Sequence, residues 1–277
     1  VFFYEWDSFD NLEYYKRGKI KIDVILTNRC NLQCSACMFG TNTNKIPKSE
    51  YDFNQFKEDL TYLAQWKEAI QVLVFLGGEP TVNPNWLSYI VFAKKLLPDT
   101  ELWIITNGLV LNKQKEYLKF IKALNVRVLL SEYPENRKDI QELNHKLDLY
   151  HIDWCYLQAE HTPQFKAMFT APITTLKPIN KDVAKTHIEC GYGCLYINNG
   201  YFGACGIQYS IPMRNQLFGT NYKIDLLPIK SIKSKEELVE LPMSWHPDIC
   251  KYCQPGTKQY KWIPHTIKHI RKEDYIL

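Results

Sequence analysis

Between Ile20 and about Gln158, the hydrophobic residues alternate between strand-like runs and helix-like spacing. The strand-like runs are Ile20–Leu26, Val72–Leu76, Leu102–Ile105, Val126–Leu130 and Ile152–Leu157. The helical stripes between them are Phe53, Phe56, Leu60 and Leu63, then Leu87, Ile90, Val91 and Leu97, then Tyr117, Phe120, Ile121 and Leu124, then Ile140, Leu143 and Leu147. This alternation predicts an α/β protein with a parallel sheet and at least five βα units. Right-handed crossovers would roll the units into a barrel or an open part-barrel.

The sequence before the first helical stripe resembles a helix start. Ser49 is followed three residues later by Asp52, which predicts a capping box ahead of Phe53. No sixth strand is evident after the fifth run, because residues 159–176 are rich in Pro, Thr and Phe. We therefore expect a barrel shorter than a complete one.

Three cysteines directly follow the first strand-like run, at Cys30, Cys34 and Cys37. This C-x3-C-x2-C spacing supplies three metal ligands from one loop, and the next His and Cys in the chain are the distant His145 and Cys155. A structural zinc site takes four ligands and is closed. An iron-sulfur cluster held by three thiolates, with one iron left for another ligand, fits the spacing better than zinc or scattered structural cysteines.

A second motif, Gly77-Gly78-Glu79-Pro80, follows the second strand-like run. Paired glycines allow the backbone to approach a ligand closely, and a carboxylate suits an ammonium group. By itself, the segment is equally compatible with an ordinary turn at the end of a strand.

Together, the cysteine triplet and the Gly-Gly-Glu-Pro segment resemble the signature of the radical S-adenosylmethionine (SAM) superfamily. The resemblance implies that Cys30, Cys34 and Cys37 hold a SAM-binding [4Fe-4S] cluster and that residues 77–80 bind the methionine amino group. The residue before the third cysteine is usually aromatic in this family, and here it is Ala36, with Phe39 close by for packing against adenine. The implied fold is a partial (β/α)6-type TIM-like barrel.

In such folds the ligands lie at the carboxyl ends of the strands. Thr106-Asn107-Gly108 is similar to a turn of this family, although it also fits a plain turn. Ser131, followed by Glu132, occupies the position of a polar residue that contacts the SAM carboxylate or ribose in the family. At the end of the fifth strand, Gln158, Glu160 and His161 could face a substrate. A lone His is, however, more often a surface or packing residue.

Five cysteines lie between Cys190 and Cys253, and the Asn-Gly pair at 199–200 predicts a β-hairpin among them. The pattern C-x9-G-x4-C from Cys190 to Cys205 resembles the start of the SPASM and twitch extensions of radical SAM enzymes. No cysteine follows the Cys250-x2-Cys253 pair, as in the shorter twitch form. The resemblance implies a second, auxiliary [4Fe-4S] cluster on Cys190, Cys205, Cys250 and Cys253, with a zinc ribbon as the alternative.

This pattern divides the chain into a barrel, residues 1–185, and a small iron-sulfur extension of β-hairpin and α-helix, residues 186–277. Two cysteines remain unassigned. Cys155 lies within a strand and is expected to pack as a small hydrophobic residue. Cys194 could replace Cys190 as a ligand, donate a hydrogen atom as a catalytic residue, or do neither.

The composition supports a globular protein, because 45% of the 277 residues are hydrophobic and 14% are aromatic. No apolar run reaches the roughly 18 residues of a membrane span, and the first residues lack the pattern of a signal peptide. We therefore expect a soluble, cytoplasmic protein. The net charge of +4 is too small to indicate a nucleic-acid partner.

The resemblance implies reductive cleavage of SAM by an electron from a flavodoxin or ferredoxin, followed by removal of a hydrogen atom from a substrate. The layout is similar to that of aminocyclitol dehydrogenases and sugar epimerases, so an oxidoreductase or epimerase acting on a small polar molecule is favoured. Oxidation is preferred because the four-ligand pattern leaves Cys194 without a required role. A peptide-modifying maturase is less favoured, because only nineteen residues precede the first strand. A non-enzymatic metal protein would not need residues 77–80.

Overall fold

The structure is a computed structural model that describes residues 11–34, 37–41, 47–158, 174–189 and 195–253, together with Lys272 and Ile276. Five residues singled out in the sequence lie outside the described residues: Ala36, Glu160, His161, Cys190 and Cys194. Among the described residues, no helix has both the length and the apolar composition needed to cross a lipid bilayer.

The described part of the chain alternates strands and helices through its first half. The strands are β1 Ile20–Thr27, β2 Ile70–Gly77, β3 Glu101–Thr106, β4 Val126–Ser131, β5 Trp154–Gln158, β6 Tyr196–Asn198, β7 Tyr201–Gly203 and β8 Leu227–Pro228. The α-helices are α1 Asn11–Lys16, α2 Phe53–Leu63, α3 Trp86–Leu96, α4 Leu109–Lys113, α5 Lys115–Ala123, α6 Arg137–Leu149, α7 Val183–Glu189, α8 Gly206–Phe218 and α9 Lys235–Ser244. Short 3-10 turns occur at Ala64–Ala69, Pro80–Val82, Ile229–Ser231 and Asp248–Tyr252.

The strands form one open sheet in the order β5-β4-β3-β2-β1-β6-β7-β8. Strands β1 to β5 are parallel neighbours in sequence order. The prediction of an α/β fold with a partial TIM-like barrel and five βα units is therefore confirmed.

Among the residues that the structure describes, the next parallel strand after β5 does not continue the barrel beyond it. Strand β6 pairs with β1, on the other side of the sheet, with Asp23 opposite Tyr196 and Val24 opposite Ile197. The hairpin partner β7 and then β8 extend the sheet in antiparallel fashion. The extension thereby supplies partners for the backbone groups of β1, which would otherwise form a sheet edge.

The outer face of the sheet is covered by helices, and the predicted stripes supply most of their buried side chains. Phe56, Leu60 and Leu63 of α2 are fully buried. Two residues of the stripes are instead exposed, Val91 at 47% and Phe120 at 50%. A helical stripe fixes which residues share a face, but its edges can still reach solvent.

The predicted capping box before α2 is wrong. Asp52 itself caps the helix, because its side chain accepts a hydrogen bond from the Gln55 N–H. The Ser49 N–H instead donates to Asn28 Oδ1 at 2.7 Å, which ties this segment to the loop after β1.

The inner face of the sheet is apolar at mid-height and charged near the amino-terminal ends of the strands. The apolar cluster includes Ile25, Val72, Val74, Leu76, Trp103, Leu129, Cys155 and Tyr196. Cys155 packs there as predicted, and burial raises its pKa to about 12. Closer to the amino-terminal ends, Lys21 pairs with Asp23 at 3.2 Å and Arg127 pairs with Asp153 at 2.6 Å. On this inner face, the part at the carboxyl ends of the strands is therefore the part left available for binding a ligand.

The hairpin β6–β7 is confirmed, with Asn199 and Gly200 at positive φ in its turn. Hydrogen bonds of Asn198, Asn199 and Gly200 hold this turn on the barrel. Asn198 Nδ2 donates to the Ile25 carbonyl at 2.7 Å, and Asn199 Oδ1 accepts from the Asp52 N–H at 2.8 Å. Asp59 accepts from the Gly200 N–H at 2.8 Å. The division at residues 185 and 186 remains a prediction, and the sheet itself runs across it.

Asp59 is the most buried residue that contacts this turn. Its carboxylate also accepts hydrogen bonds from the Tyr51 hydroxyl at 2.6 Å and from Gln55 Nε2 at 2.9 Å. The change Asp59→Ala leaves three donors without their acceptor. We expect it to lower the free energy of unfolding by about 2–3 kcal/mol, the cost of leaving buried polar groups unsatisfied.

Urea unfolding of the reduced protein measures this loss. The matched control is Glu58→Ala, since Glu58 is the adjacent residue and is exposed, with Lys230 3.5 Å away. Equal unfolding free energies for the two variants would contradict the role of Asp59.

Candidate functional site

The loop after β1 and the turn after β2 are packed directly against each other. The Gly78 N–H donates to the Thr27 carbonyl and the Glu79 N–H donates to the Arg29 carbonyl, both at 2.8 Å. A Cβ atom on Gly77 would lie 2.4 Å from the Thr27 oxygen, and one on Gly78 would lie 1.9 Å from the Arg29 oxygen. Gly77 also has a φ of +140°. The paired glycines are therefore required for the contact between the two predicted motifs.

The Glu79 side chain is buried at this contact and accepts four hydrogen bonds. Oε1 accepts from the N–H and hydroxyl groups of Thr81 and from the Thr106 hydroxyl, the last at 2.7 Å. Oε2 accepts from the Asn107 N–H at 2.7 Å. Burial raises the pKa of this carboxyl group, while the four donors lower it. Glu79 thus joins the ends of β2 and β3, and Oε2 keeps room for a further donor.

Asn107 extends the network toward the cysteines and toward β4. Its Nδ2 donates to Asn31 Oδ1 at 2.7 Å and lies 4.0 Å from Cys30 Sγ. Its carbonyl accepts from Asn136 Nδ2 at 2.7 Å, and the same amide group donates to the Ser131 carbonyl at 2.9 Å. The carboxyl ends of four neighbouring strands are therefore connected by hydrogen bonds.

The structure brings the predicted residues Thr106, Asn107 and Ser131 to one edge of the sheet, as expected for strand ends. Glu132 is buried beside Ser131 and lies 3.5 Å from Arg137 Nε. Gln158 lies at the end of β5, opposite Ser131 in the sheet. Asn31 and Asn136 were missed in the sequence, where isolated Asn residues in loops carry no distinguishing pattern.

The three cysteines of the first loop are partly buried and are not joined by disulfide bonds. The Leu32 N–H donates to Cys30 Sγ at 3.4 Å. Burial, and after it the negative charge of Glu79, raises the pKa of Cys30. Three neighbouring cysteines in such a place become thiolates only beside a cationic centre, which fits a metal cluster.

No group of three His, Cys, Asp or Glu residues in the described ranges is arranged around a single metal ion. In an iron-sulfur cluster each thiolate binds its own iron atom, so the thiolates need not converge on one point. The donor set of Cys30, Cys34 and Cys37 therefore fits a cluster with an open iron.

The cysteines of the extension also lie close together as far as they are described. Cys205 is the N-cap of α8, and Cys250 and Cys253 lie in and after the turn Asp248–Tyr252. Asn180 holds this turn, because its Nδ2 donates to the carbonyls of Cys250 and Cys253, both at 2.7 Å. Burial and then the negative charge of Cys205 raise the pKa of Cys250 to about 12.

His187 is a neighbour of this group that the sequence did not reveal. Its Nδ1 lies 3.9 Å from Cys250 Sγ, and its Nε2 lies 2.9 Å from the Pro242 carbonyl. Burial lowers the pKa of this imidazole. Its helix α7 ends directly before Cys190 in the sequence. The place of His187, three residues before the predicted ligand Cys190, was the sequence signal that could have identified it.

The two cysteine groups are joined by a tight contact. Met38 follows Cys37, and Gly206 follows Cys205. A Cβ atom on Gly206 would lie 3.0 Å from Met38 Sδ and 2.9 Å from Phe39 Cε1. The Phe39 ring also packs edge-on against Tyr196 of β6, with ring centroids 6.1 Å apart. The predicted contact of Phe39 with adenine remains a prediction.

Residues 24–131 match the family described as "Radical SAM superfamily". This part of the chain is a radical SAM domain, as the two motifs predict.

Two curated relatives show similarity over a limited length. GTP 3',8-cyclase of Mycolicibacterium smegmatis is 32% identical over 108 residues, 39% of this chain and 30% of the cyclase. The 7,8-dihydro-6-hydroxymethylpterin dimethyltransferase of Methanocaldococcus jannaschii is 30% identical over 120 residues, 43% of this chain and 23% of that enzyme. The chain thus matches less than a third of either relative.

A solved structure shares the fold over most of the chain. The crystal structure of BtrN in complex with AdoMet and 2-DOIA has a TM-score of 0.51 at 14% identity. The similarity covers 92% of this chain and 96% of BtrN. The shared fold therefore includes much of the chain after the radical SAM domain.

The Glu79 network generates a prediction about the site. In Glu79→Gln, one carboxylate oxygen becomes an amide NH2, which faces donors and cannot accept from them. We expect the free energy of unfolding to fall by about 1–3 kcal/mol. We also expect weaker binding of SAM, because Thr106 and Asn107 lose their anchor, while the iron content is retained.

Urea unfolding and calorimetric titration with SAM measure the two effects. Glu101→Gln is the matched control, since Glu101 lies exposed at the opposite end of β3. Unchanged stability and SAM affinity in Glu79→Gln would remove Glu79 from this role.

Proposed function

We propose that this protein is a radical SAM oxidoreductase that oxidises a carbon centre of a small polar, carbohydrate-like substrate. The observation that carries the proposal is the contact between the two cysteine groups, at Met38 and Gly206. Two iron-sulfur clusters in adjacent loops would suit a reaction in which an electron enters at one and leaves through the other.

The first cofactor site is proposed at the carboxyl ends of β1 to β4. Cys30, Cys34 and Cys37 would hold a [4Fe-4S] cluster, and the turn at residues 77–80 would bind the amino group of SAM. The other proposed SAM contacts are Ala36, Phe39, Thr106, Asn107 and Ser131. When bound, the cluster and SAM supply reductive cleavage of the sulfonium bond and a radical that removes a substrate hydrogen atom.

The protein's own contribution at this site is position and exclusion of water. The hydrogen bonds of Glu79 keep the turns after β2 and β3 together, and Asn107 connects them to the loop of Cys30. These groups are held by hydrogen bonds within the protein itself, so binding does not require them to be ordered. The electron is proposed to come from a flavodoxin- or ferredoxin-type protein.

The second site is proposed as an auxiliary [4Fe-4S] cluster on Cys190, Cys205, Cys250 and Cys253, within an extension of residues 186–277. Burial raises the pKa of Cys205, and the dipole of α8, at whose N-terminus Cys205 lies, opposes that rise. Four thiolates would close this cluster to substrates and leave it the task of accepting an electron. That task balances the oxidation: the substrate radical loses one electron to the cluster and one proton to solvent.

The comparisons support a small-molecule substrate more than a larger one. The fold shared with BtrN extends over 92% of this chain, and the BtrN structure contains 2-DOIA. The cyclase and the dimethyltransferase align with less than half of the chain. Their reactions are therefore not carried over.

The proposal predicts the metal content. Anaerobic reconstitution should give about eight iron atoms per chain, from two four-iron clusters. Replacing Cys30, Cys34 and Cys37 together by Ala should leave about four and abolish formation of 5'-deoxyadenosine from SAM. Replacing Cys205, Cys250 and Cys253 should also leave about four, but 5'-deoxyadenosine should still form without substrate.

Iron and sulfide assays with visible absorbance measure the clusters, and chromatography measures 5'-deoxyadenosine. Cys155→Ala is the control, because Cys155 belongs to neither group and its replacement should leave both clusters. A zinc-loaded protein without visible absorbance would refute the cluster assignment.

Oxidation and epimerisation differ in the need for a hydrogen donor, for which Cys194 is the candidate. A panel of aminocyclitols and sugars is first screened for substrate-dependent 5'-deoxyadenosine. With an active substrate, we expect Cys194→Ala to retain turnover and the parent to place no deuterium in the product carbon in deuterated water. Loss of turnover in the variant, with deuterium in the parent's product, would instead indicate epimerisation.

A further inference from the structure

Thr41 is a buried residue four positions after Cys37, and it contacts both motifs of the site. Its Oγ1 lies 3.3 Å from Cys37 Sγ. Its methyl carbon Cγ2 lies 3.1 Å from the position of a Cβ on Gly78. Its carbonyl accepts a hydrogen bond from Lys48 Nζ at 2.8 Å. These three contacts fix the position of Thr41, with its hydroxyl group beside the Cys37 sulfur.

The protonation state of the cysteine determines the direction of this contact. When Cys37 is protonated, either its thiol or the Thr41 hydroxyl group can be the donor. A cysteine that binds iron is a thiolate and has no proton to give. With a metal bound, the Thr41 hydroxyl is the only possible donor of the pair.

Lys48 brings a positive charge to the same place. Burial lowers the pKa of this ammonium group, and negative charge on Cys37 and Cys30 opposes that lowering, which places Lys48 within electrostatic reach of both sulfurs. A partly buried charge is screened less by solvent than an exposed one. Lys48 therefore favours any negative charge that accumulates on these sulfurs.

We propose that Thr41 and Lys48 tune the reduction potential of the SAM-binding cluster, Thr41 by a hydrogen bond to the Cys37 thiolate and Lys48 by its charge. The reduced cluster carries one more negative charge than the oxidised cluster, because it has taken one electron from the donor protein and no bond has changed. A hydrogen bond and a cation at its sulfurs stabilise the reduced form more. Both residues act through the cluster and are positioning residues. The inference rests on the proposed role of Cys37 as a ligand.

The test uses the full chain, reconstituted anaerobically, in a redox titration followed by electron paramagnetic resonance. The signal of the SAM-binding cluster is the one that changes when SAM is added. Thr41→Val keeps the shape and removes the hydroxyl, and Thr41→Ser keeps the hydroxyl. Lys48→Met removes the charge, and Lys48→Arg keeps it.

We expect more negative potentials in Thr41→Val and Lys48→Met, with unchanged iron content. At a fixed applied potential, the ratio of reduced to oxidised cluster should fall roughly two- to tenfold, the effect of one lost hydrogen bond. Thr41→Ser and Lys48→Arg should remain close to the parent.

The proposal is overturned if Thr41→Val and Lys48→Met titrate like the parent, or if Thr41→Ser shifts as much as Thr41→Val. If Thr41→Val does not retain iron, Lys48→Met against Lys48→Arg decides in the same way. Failure of the proposed function would appear earlier and separately, as a parent protein without a SAM-sensitive cluster signal.

Discussion

The site depends on one close backbone contact, in which Gly77 and Gly78 lie against the carbonyls of Thr27 and Arg29. Any side chain at either glycine would collide with the loop that leads to Cys30, so the strand ends could not approach. The contact brings the three thiols and the turn after β2 to one place through hydrogen bonds within the protein. Preorganisation of this kind removes an ordering cost from binding.

A buried carboxylate spreads this order across the sheet. Burying the Glu79 carboxylate away from water costs free energy, and the four hydrogen bonds that it accepts offset this cost. Through Asn107 and Asn136, the same network reaches the cysteine loop and the end of β4. Glu79, whose motif points to ligand binding, thus also holds the structure of the site together.

The extension is attached to the barrel at two levels. Its hairpin continues the sheet beyond β1, and Asp59 holds the turn at Gly200. Its helix α8 packs against the cysteine loop at Gly206, and Met213 lies 2.5 Å from the position of a Cβ on Gly40. The geometry of the cysteine loop and of Cys205 is therefore coupled.

The sequence by itself determined the α/β class, the five βα units, the Asn-Gly hairpin and the two motifs, since each depends on local spacing. It did not reveal that β6 pairs with β1, because strand pairing joins residues more than 170 positions apart. Nor did it reveal Asn136, Thr41 or His187, whose contacts arise only when separate loops meet at one edge of the sheet. Periodicity and motif spacing record what a segment needs locally, whereas only tertiary packing decides which distant groups share a buried site.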